Sequence, residues 1–392
     1  MMDVDIAIVG AGPAGLSFAQ ALAGSGLDIV LIERQPESAL ADPAFDGREI
    51  ALTHASRRIM TDLGLWPLLP AAEISPLRDA KIMDGASLFA LNIRAAAVGE
   101  DQLGFLVPNH LIRRAAYGAL KASGAGRLVT GRMVTGLDRT RDAVTLTLDD
   151  GAAVRARLVA AADSRFSETR DMLGIAAARR DYGRSMMVCR MAHELPHDHV
   201  AWEWFDYGQT LALLPLNGLQ ASVVLTLPAD ELAAVMALDE AAFNADITRR
   251  FGNRLGAMRQ TGTRHLYPLV GVYARRFAGP RCALVGDAAV GMHPVTAHGF
   301  NFGLQAAERL SQRLLRARRL GLDIADPGLL AEYDRVHRQA TWPLYQATNI
   351  IAGLYTDDRT PAQMLRKAAL HLANGLAPVK KAIAAHLTQS AA

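Results

Sequence analysis

Three glycines and one carboxylate near the start of the chain have the spacing of a nucleotide-binding site. Gly10, Gly12 and Gly15 follow an apolar run at residues 4–9, and a second apolar run ends on Glu33. The first glycine allows a tight turn, the second lets the backbone approach a pyrophosphate, and the third lets a helix pack closely on the strand. The free N–H groups at the start of that helix would face the phosphates. A carboxylate at Glu33 would accept hydrogen bonds from a ribose and repel a 2′-phosphate, so we expect FAD or NAD and not NADP. The alternative is a glycine turn that binds no ligand.

A second loop with similar chemistry lies far along the chain. A predicted strand at residues 282–285 leads into Gly286 and Asp287, and Gly299 and Gly303 then precede a long helix that runs to Arg319. A loop with two glycines that leads into a helix N-terminus is again a site for an anion or a dipole. Two such sites, so far apart in sequence, suit a ligand with two ends.

Strands and helices alternate irregularly between these two loops. Asp84-Gly85 and Asp150-Gly151 read as hairpin turns, and Trp202 and Trp204 share one face of a strand in a strand-rich zone. The predicted strands are 79–84, 87–93, 144–148, 154–161, several within 186–227, and one near 264–270. The predicted helices are 56–63, 109–122, about 230–242, about 243–256, and most of the chain from residue 304 onward.

Composition excludes several classes of protein. The 392 residues are 51% hydrophobic and 21% charged with a net charge of +3, which suits a globular enzyme and gives no reason to expect nucleic acid as a partner. Cys189 and Cys282, the only cysteines, have no metal-like spacing. The first strand begins by residue 4 and no apolar run approaches the ~20 residues of a membrane span, so we expect neither a signal peptide nor a membrane helix. The expected location is the cytoplasm, and no metal site is expected.

The two loops together resemble those of the FAD-dependent aromatic hydroxylases, the family of para-hydroxybenzoate hydroxylase, over residues 3 to about 345. The resemblance implies an α/β fold with a Rossmann-type FAD-binding domain, an inserted and largely antiparallel substrate sheet, and C-terminal helices. The implied domains are an FAD-binding domain at 1–70, 100–180 and 271–345, a substrate-binding domain at 71–99 and 181–270, and a C-terminal helical segment at 346–392.

Within this family, three stretches are similar to the ubiquinone-biosynthesis hydroxylases: residues 45–56, 103–112 and 293–303. Ala297-His298-Gly299 replaces the usual Gly-Gln-Gly, and this variant of the motif resembles that of the 5-demethoxyubiquinol hydroxylase branch. Ser164 replaces the glycine of the family's Asp-Gly motif, which affects a nicotinamide-binding role of that segment more than its FAD-binding role. The resemblance implies that the following residues contact FAD: Gly10, Gly12, Pro13, Ala14, Gly15, Glu33, Arg34, Arg48, Asn109, Val134, Asp163, Gly286, Asp287, Pro294, Gly299, Phe300 and Asn301.

The implied reaction is hydroxylation of the aromatic ring of a ubiquinone intermediate, such as 5-demethoxyubiquinol, by O₂ through a flavin C4a-hydroperoxide. That species needs a dry pocket, and the substrate hydroxyl benefits from a nearby base. We assign His298 as the candidate base and His54 as a second candidate, with a loop-orienting hydrogen bond and a helix-start position as the respective alternatives. His293 is expected to brace its loop. The cluster of Trp202, Trp204 and Phe205 could line a substrate pocket, but we expect a sheet core instead, because alternation puts Trp202 and Trp204 on one face.

The reductant and the location of the substrate stay open in the sequence. Electrons come from NAD(P)H or from a partner reductase, and the substrate is a hydrophobic polyprenyl phenol or quinol. Residues 364–387 are basic and apolar, and they are interpreted either as a helix packed against the FAD domain or as a peripheral contact with the inner membrane. A ubiquinone-biosynthesis protein complex is an alternative partner. The alternative functions are a hydroxylase or reductase of a polyketide, another phenol or a prenyl lipid, and a non-catalytic prenyl-binding chaperone.

Overall fold

The structure is a computed structural model that describes residues 1–85, 90–206, 208–293, 298–356 and 377–388. The strands, in chain order, are β1 (Met2–Val9), β2 (Ile29–Glu33), β3 (Glu49–Leu52), β4 (Ser75–Leu77), β5 (Asp79–Asp84), β6 (Ala90–Arg94), β7 (Gly104–Pro108), β8 (Arg127–Thr130), β9 (Val134–Arg139), β10 (Val144–Leu148), β11 (Ala153–Ala161), β12 (Ala177–Ala192), β13 (Val200–Asp206), β14 (Gln209–Pro215), β15 (Gln220–Pro228), β16 (Arg259–Gln260), β17 (His265–Ala274), β18 (Ala278–Gly279), β19 (Cys282–Leu284) and β20 (Val290–Gly291). The helices are α1 (Pro13–Gln20), α2 (Glu37–Ala41), α3 (His54–Asp62), α4 (Asn109–Ser123), α5 (Glu168–Met172), α6 (Ala229–Met236), α7 (Glu240–Arg250), α8 (Gly299–Arg319), α9 (Pro327–Thr356) and α10 (Ala377–Thr388).

The first sheet is assembled from strands that are far apart in sequence. Its main order is β18-β19-β11-β1-β2-β8, with β9 and β10 paired beyond β11, and the pairs of β1 with β2 and β11, of β2 with β8 and of β11 with β19 are parallel. Ile6 and Ile8 pack into one hydrophobic cluster and Ala7 and Val9 into another, so β1 is buried on both faces, as expected of a central parallel strand. Because these strands are parallel, the carboxyl ends of β1, β2, β11 and β19 meet at one edge of the sheet, where ligands bind in such folds.

The second sheet runs β20-β17-β12-β15-β14-β13-β5-β6, and β16 also pairs with β12. Its pairings are antiparallel except that of β13 with β5. One face of the sheet carries Trp204, Leu213 and Leu225, which pack under α6 and α7 with Phe243 and Phe251. The opposite face is turned toward the first sheet's ligand edge and lines a cavity with it.

The C-terminal helix packs on the far end of the second sheet. Ala384 of α10 is fully buried in a cluster with Leu91, Ile93 and Leu103, and Ile82 of β5 packs against the same cluster. Helix α10 thus meets the β5–β6 hairpin, which the sequence analysis gave to the substrate-binding domain, and Leu103, which it gave to the FAD domain. The interpretation of a helix packed against the FAD domain stays a prediction. Residues 364–376, including Arg366 and Lys367, lie outside the described residues.

The expected α/β architecture with an antiparallel second sheet is confirmed. Helix α4 begins at Asn109 as predicted and ends before Gly124, whose φ of +64° is the left-handed conformation of a C-terminal cap. Of the two predicted helices near 230–256, the first is predicted too long, since α6 ends at Met236, and the second too late in the chain, since α7 runs from Glu240 to Arg250. The second sheet also takes in residues 177–180 and 271–274, which the sequence analysis gave to the FAD domain, and the domain bounds stay a prediction.

Candidate active site

The glycine loop after β1 leaves room for a ligand at one glycine only. A Cβ atom on Gly10, whose φ is +103°, would lie 2.5 Å from the carbonyl oxygen of Ala162, and one on Gly15 would lie 2.0 Å from the carbonyl oxygen of Gly10. A Cβ on Gly12 would meet nothing within 4 Å. Gly10 and Gly15 are thus required by the protein's own packing, whereas the free space at Gly12 lies at the N-terminus of α1, where a phosphate would be held.

The carboxylate of Glu33, at the end of β2, fixes the same loop. Its Oε2 accepts a hydrogen bond from the backbone N–H of Ala11 at 2.8 Å, and its Oε1 accepts one from the N–H of Gln35 at 2.9 Å. Each oxygen keeps a second acceptor position, so the carboxylate can also bind ribose hydroxyls. Both Glu33 and the glycine loop line the cavity.

The turn after β19 lies against the start of α1. Gly286 has a φ of +65°, and a Cβ on it would lie 2.8 Å from the Cβ of Ala14. Asp287 follows within a single 3₁₀ turn, and its Oδ2 accepts a hydrogen bond from Nη2 of Arg165 at 3.0 Å. Helix α8 starts at Gly299, which lies along the same cavity. The two loops that the sequence singled out therefore meet.

Asp163, just after β11, lines the same cavity and has a carboxylate oxygen that accepts no hydrogen bond from the described residues. Its Oδ2 accepts the N–H of Thr169 at 3.3 Å, whereas its buried Oδ1 has no hydrogen-bond partner among the residues that the structure describes. A buried carboxylate oxygen without a donor is costly, and a hydroxyl-bearing ligand would satisfy it.

Arg48 and Asn109 are held by a residue that the sequence analysis did not select. Asp46 accepts hydrogen bonds from Nη2 of Arg48 at 2.6 Å and from Nδ2 of Asn109 at 2.7 Å. Burial by itself would raise the pKa of the Asp46 carboxyl, but Arg48 and Asn109 outweigh it and lower that pKa. The guanidinium of Arg48 also stacks on the ring of Tyr267, 5.3 Å from its centroid, and the hydroxyl of Tyr267 donates to the backbone carbonyl of Asp46.

One cavity of about 860 Å³ runs from the glycine loop to the second sheet. The predicted FAD contacts that line it are Gly10, Gly12, Pro13, Ala14, Glu33, Arg34, Arg48, Asn109, Val134, Asp163, Gly286, Asp287, Gly299 and Phe300. Gly15 packs behind the loop, and buried Asn301 accepts the N–H of Thr53 and donates to the carbonyl of Ala51. Pro294 lies outside the described residues. The roles of these residues toward FAD stay predictions.

The opposite wall of the cavity comes from the second sheet. Its side chains alternate along each strand, so β13 presents Glu203 and Phe205 to the cavity while Trp202 and Trp204 pack in or against the core on the other face. The expected sheet core is confirmed for Trp202 and Trp204, whereas Phe205 of the same cluster lines the cavity. The remaining members of this wall are Met186, Val188, Thr210, Ala212, Leu214, Ser222, Val224, Thr226, Tyr267 and Leu269.

The structure does not bring the two predicted catalytic histidines to the cavity. His298 is 2% exposed and packs beside Phe302, with ring centroids 5.9 Å apart. The Nε2 of His54 lies 2.8 Å from the carbonyl oxygen of Gln102, and its ring packs on Phe105. Neither lines the cavity, a placement that favours the alternatives of loop orientation for His298 and a helix-start position for His54.

His293 does line the cavity. Its ring packs edge-on against Tyr182 with centroids 4.7 Å apart, and burial, with Arg165 and Arg180 nearby, lowers its pKa to about 4. It is therefore neutral at neutral pH. Sequence reasoning missed Asp46 and Tyr267, because their partners come from other parts of the chain. It also missed Glu203, although the alternation that placed Trp202 and Trp204 together puts Glu203 on the other face.

Comparisons with known proteins agree with this site. A family model described as an FAD binding domain matches residues 3–348. Ubiquinone hydroxylase UbiM of Neisseria meningitidis is 47% identical over 98% of this chain and 84% of its own length, and ubiquinone hydroxylase UbiL of Rhodospirillum rubrum is 37% identical over 97% and 89%. The crystal structure of p-nitrophenol 4-monooxygenase PnpA from Pseudomonas putida DLL-E4 has the same fold, with a TM-score of 0.79 at 19% identity over 99% of both chains.

The fold and the site define a flavoprotein monooxygenase that binds FAD. Within that class, the chain belongs to the FAD-binding family that includes the ubiquinone hydroxylases, as the sequence resemblance implied. The residues present fit FAD: open space at Gly12 for the pyrophosphate, carboxylates for the sugar hydroxyls at Glu33 and Asp287, and an unsatisfied acceptor on Asp163.

The described residues contain no group of three or more histidine, cysteine, aspartate or glutamate side chains placed to hold a metal ion. No helix among them is both long enough and apolar enough to cross a membrane.

Proposed function

We propose that this protein hydroxylates the aromatic ring of a ubiquinone precursor such as 5-demethoxyubiquinol. The observation that carries the proposal is the single cavity, which joins the FAD-binding loops to the mostly apolar face of the second sheet. A substituted ring with a prenyl tail is apolar with a few oxygen atoms, which matches a wall of methionine, valine, leucine and phenylalanine interrupted by Thr210, Ser222 and Thr226. The similarity to UbiM and UbiL supports the same substrate class.

FAD, once bound and reduced, supplies the activation of O₂ that transfers one oxygen atom to a ring carbon. The protein's part is to hold the two ends of FAD at the β1 and β19 turns and to exclude water from the ring. Apart from Glu203, the side chains of the second-sheet wall carry no charge, so a ring bound there is shielded from bulk water. Electrons come from NAD(P)H or from a partner reductase in this proposal.

The substrate partitions into lipid, so we propose that the protein works at the cytoplasmic side of the inner membrane or within a complex that presents the quinol. Exposed Lys381 and half-buried Lys380 on α10 support weak attraction to an anionic surface.

The test uses purified protein reconstituted with FAD, a chemical reductant, isotopically labelled O₂ and short-tailed 5-demethoxyubiquinol. We expect a product heavier by one labelled oxygen atom, with the fully substituted ubiquinol as an unreactive control. Consumption of O₂ with hydrogen peroxide as the only product would contradict the proposal. Deletion of the gene should cause the corresponding quinone intermediate to accumulate, as measured by mass spectrometry.

A further inference from the structure

The wall of the cavity opposite the FAD loops carries one carboxyl group. Glu203 lies in the middle of β13, where it is paired with Ala212 of β14 and Ile82 of β5, both apolar. Its side chain shares the cavity face with Phe205 and is half-buried, because the surface it exposes is turned into the cavity. A carboxyl group in such a wall is unusual, since burial penalises its charge.

Nothing in the described part of the chain accounts for Glu203 as a structural residue. No hydrogen bond or ion pair to it is present there, in contrast to Glu33 and Glu49, which bind backbone N–H groups and Arg190 respectively. Desolvation alone raises the pKa of Glu203 from 4.5 to about 8. An ionisable group that costs stability and has no partner is more readily explained by a ligand than by the fold.

Resting on the proposed function, we propose that Glu203 is a catalytic residue that accepts the proton of a ring hydroxyl of the bound quinol or phenol. The O–H bond of the substrate breaks, its proton passes to a carboxylate oxygen of Glu203, and the electron pair stays on the ring oxygen. No electrons are exchanged with another group in this step. The resulting oxyanion raises the electron density at the ring carbons that receive oxygen.

The chemistry of the group suits this task. A base is most effective when its pKa lies near the working pH, because it is then both sufficiently ionised and sufficiently basic. A carboxyl group with the ordinary pKa would be ionised but too weak to take a proton from a phenol. The apolar neighbours Phe205, Ala212 and Leu214 supply the desolvation that makes it stronger, and they leave the ring hydroxyl as its available partner.

Other titratable groups face the same space, and the experiment must separate them from Glu203. On the neighbouring strand the only one on this face is Asp84, which lies opposite Phe205. From the other elements that line the cavity they are Glu33, Arg34, Arg48, Glu49, Arg113, Arg132, Asp163, Arg165, Glu168, Tyr267, Asp287 and His293.

The test compares the FAD-loaded wild type with Glu203→Gln, which keeps the size and hydrogen-bonding capacity but cannot take up a proton. With short-tailed 5-demethoxyubiquinol, the kcat/KM of the wild type should rise with pH to a plateau with an apparent pKa near 8. In Glu203→Gln the plateau should fall about 100-fold or more and the ascending limb should disappear. FAD content and the flavin spectrum should stay unchanged, because Glu203 is on the wall opposite the FAD loops.

Two further variants serve as controls. Glu231→Gln removes an exposed glutamate of α6, on the other side of the same sheet, and should keep both the rate and the pH profile of the wild type. His298→Ala tests the base assigned from the sequence, and it should keep the ascending limb whatever its rate. A limb that survives in Glu203→Gln and disappears in His298→Ala would overturn the proposal in favour of His298.

The Tm of Glu203→Gln separates a catalytic role of Glu203 from a structural one, because the two roles predict changes in opposite directions. The folded-state pKa of Glu203 lies above the unfolded value, so the unfolded state releases this proton first as pH rises and the carboxyl destabilises the fold above pH 4.5. The Tm of Glu203→Gln above pH 8 should therefore exceed that of the wild type. A lower Tm or failure to fold would show that the carboxyl supports the structure, which contradicts the proposal.

The two proposals fail differently. A wild type that binds FAD but never oxygenates the quinol rejects the proposed function itself. An active wild type with an equally active Glu203→Gln, within about twofold at every pH, rejects only the role of Glu203.

Discussion

Arg165 and Asp287 form a salt bridge, 3.0 Å between Nη2 and Oδ2, that joins the segment after β11 to the turn after β19. Nη1 of Arg165 also donates to the carbonyl oxygen of Val270 in the second sheet. One guanidinium thus ties the segment after β11 and the turn after β19 to β17 of the second sheet. Asp287 is one of the residues that the family resemblance implies contact FAD, and this salt bridge orients its carboxylate.

Asp287→Ala should weaken FAD binding about 10-fold to about 100-fold, because it removes a charge-assisted acceptor worth about 1.5–3 kcal/mol. Arg165→Gln should have a smaller effect on FAD binding, since the carboxylate remains and only its orientation is lost. Titration of the apoproteins with FAD, followed by flavin fluorescence, measures both. Stoichiometric FAD retained by Asp287→Ala after dialysis would contradict the assignment.

Gly12→Val should abolish FAD retention, a loss of at least about 100-fold or about 2.8 kcal/mol, while leaving the fold intact. The backbone at Gly12 has a φ of −69°, a value that valine readily adopts. The added atoms would fill only the open space where the pyrophosphate is predicted to bind. Circular dichroism, Tm and flavin absorbance are the measurements.

Gly136→Val is the matched control for Gly12→Val. It adds the same atoms to a strand, where the nearest contact would be an ordinary 3.5 Å from Thr147, and Gly136 is not among the residues that line the cavity. This variant should keep its FAD. Equal retention of FAD by both variants would remove Gly12 from the binding site.

Acid should destabilise the protein through His337. This fully buried imidazole accepts a hydrogen bond from Arg309 at 2.7 Å, and burial, with that arginine, lowers its pKa from 6.5 to about 3. Between those two pH values the unfolded state binds a proton that the folded state does not, so the free energy of unfolding falls as pH falls, by about 1.4 kcal/mol per pH unit.

The measurement is urea unfolding of the wild type and of His337→Gln at several pH values in that window. Glutamine keeps an acceptor for Arg309 but cannot be protonated there, so His337→Gln should lack this slope, and the difference in free energy of unfolding between the two proteins should change by about 1.4 kcal/mol per pH unit. Parallel curves for the two proteins would show that His337 is not neutral in the fold.

Removing residues 377–392 should lower the free energy of unfolding by about 2–4 kcal/mol. The loss of Ile383, Ala384 and Leu387 would expose the apolar surface of the β5–β6 hairpin that they cover. Loss of liposome binding in a truncated protein could therefore come from lost stability as well as from lost docking.

The double charge reversal Lys380→Glu and Lys381→Glu tests docking instead, with co-sedimentation on anionic liposomes at low salt. Unchanged Tm with reduced sedimentation supports docking, and unchanged sedimentation contradicts a role for these lysines.

The sequence predicted the local features and not the long-range ones. Glycine spacing, the apolar runs of β1 and β2, and the cap at Gly124 are encoded within a few residues, so they could be read directly. The contacts of Asp46 with Asn109 and of Asn301 with Thr53 join distant segments, and no local pattern marks them. His298 was selected for its neighbours in the motif, but the start of α8 turns it into the core.

The order of strands in the first sheet has a consequence for synthesis of the protein. β1 is made first, but β11 and β19, which extend the sheet from it on one side, begin only at residues 153 and 282, and the Gly286-Asp287 turn follows β19. A nascent chain on the ribosome therefore lacks half of its FAD site until residue 287 has emerged. Because chains elongate at about 5–20 residues per second, the glycine loop must wait on the order of 15–60 seconds without its counterpart. FAD should consequently load only at the end of translation, and FAD shortage in the cell should expose nearly finished chains, rather than early ones, to degradation.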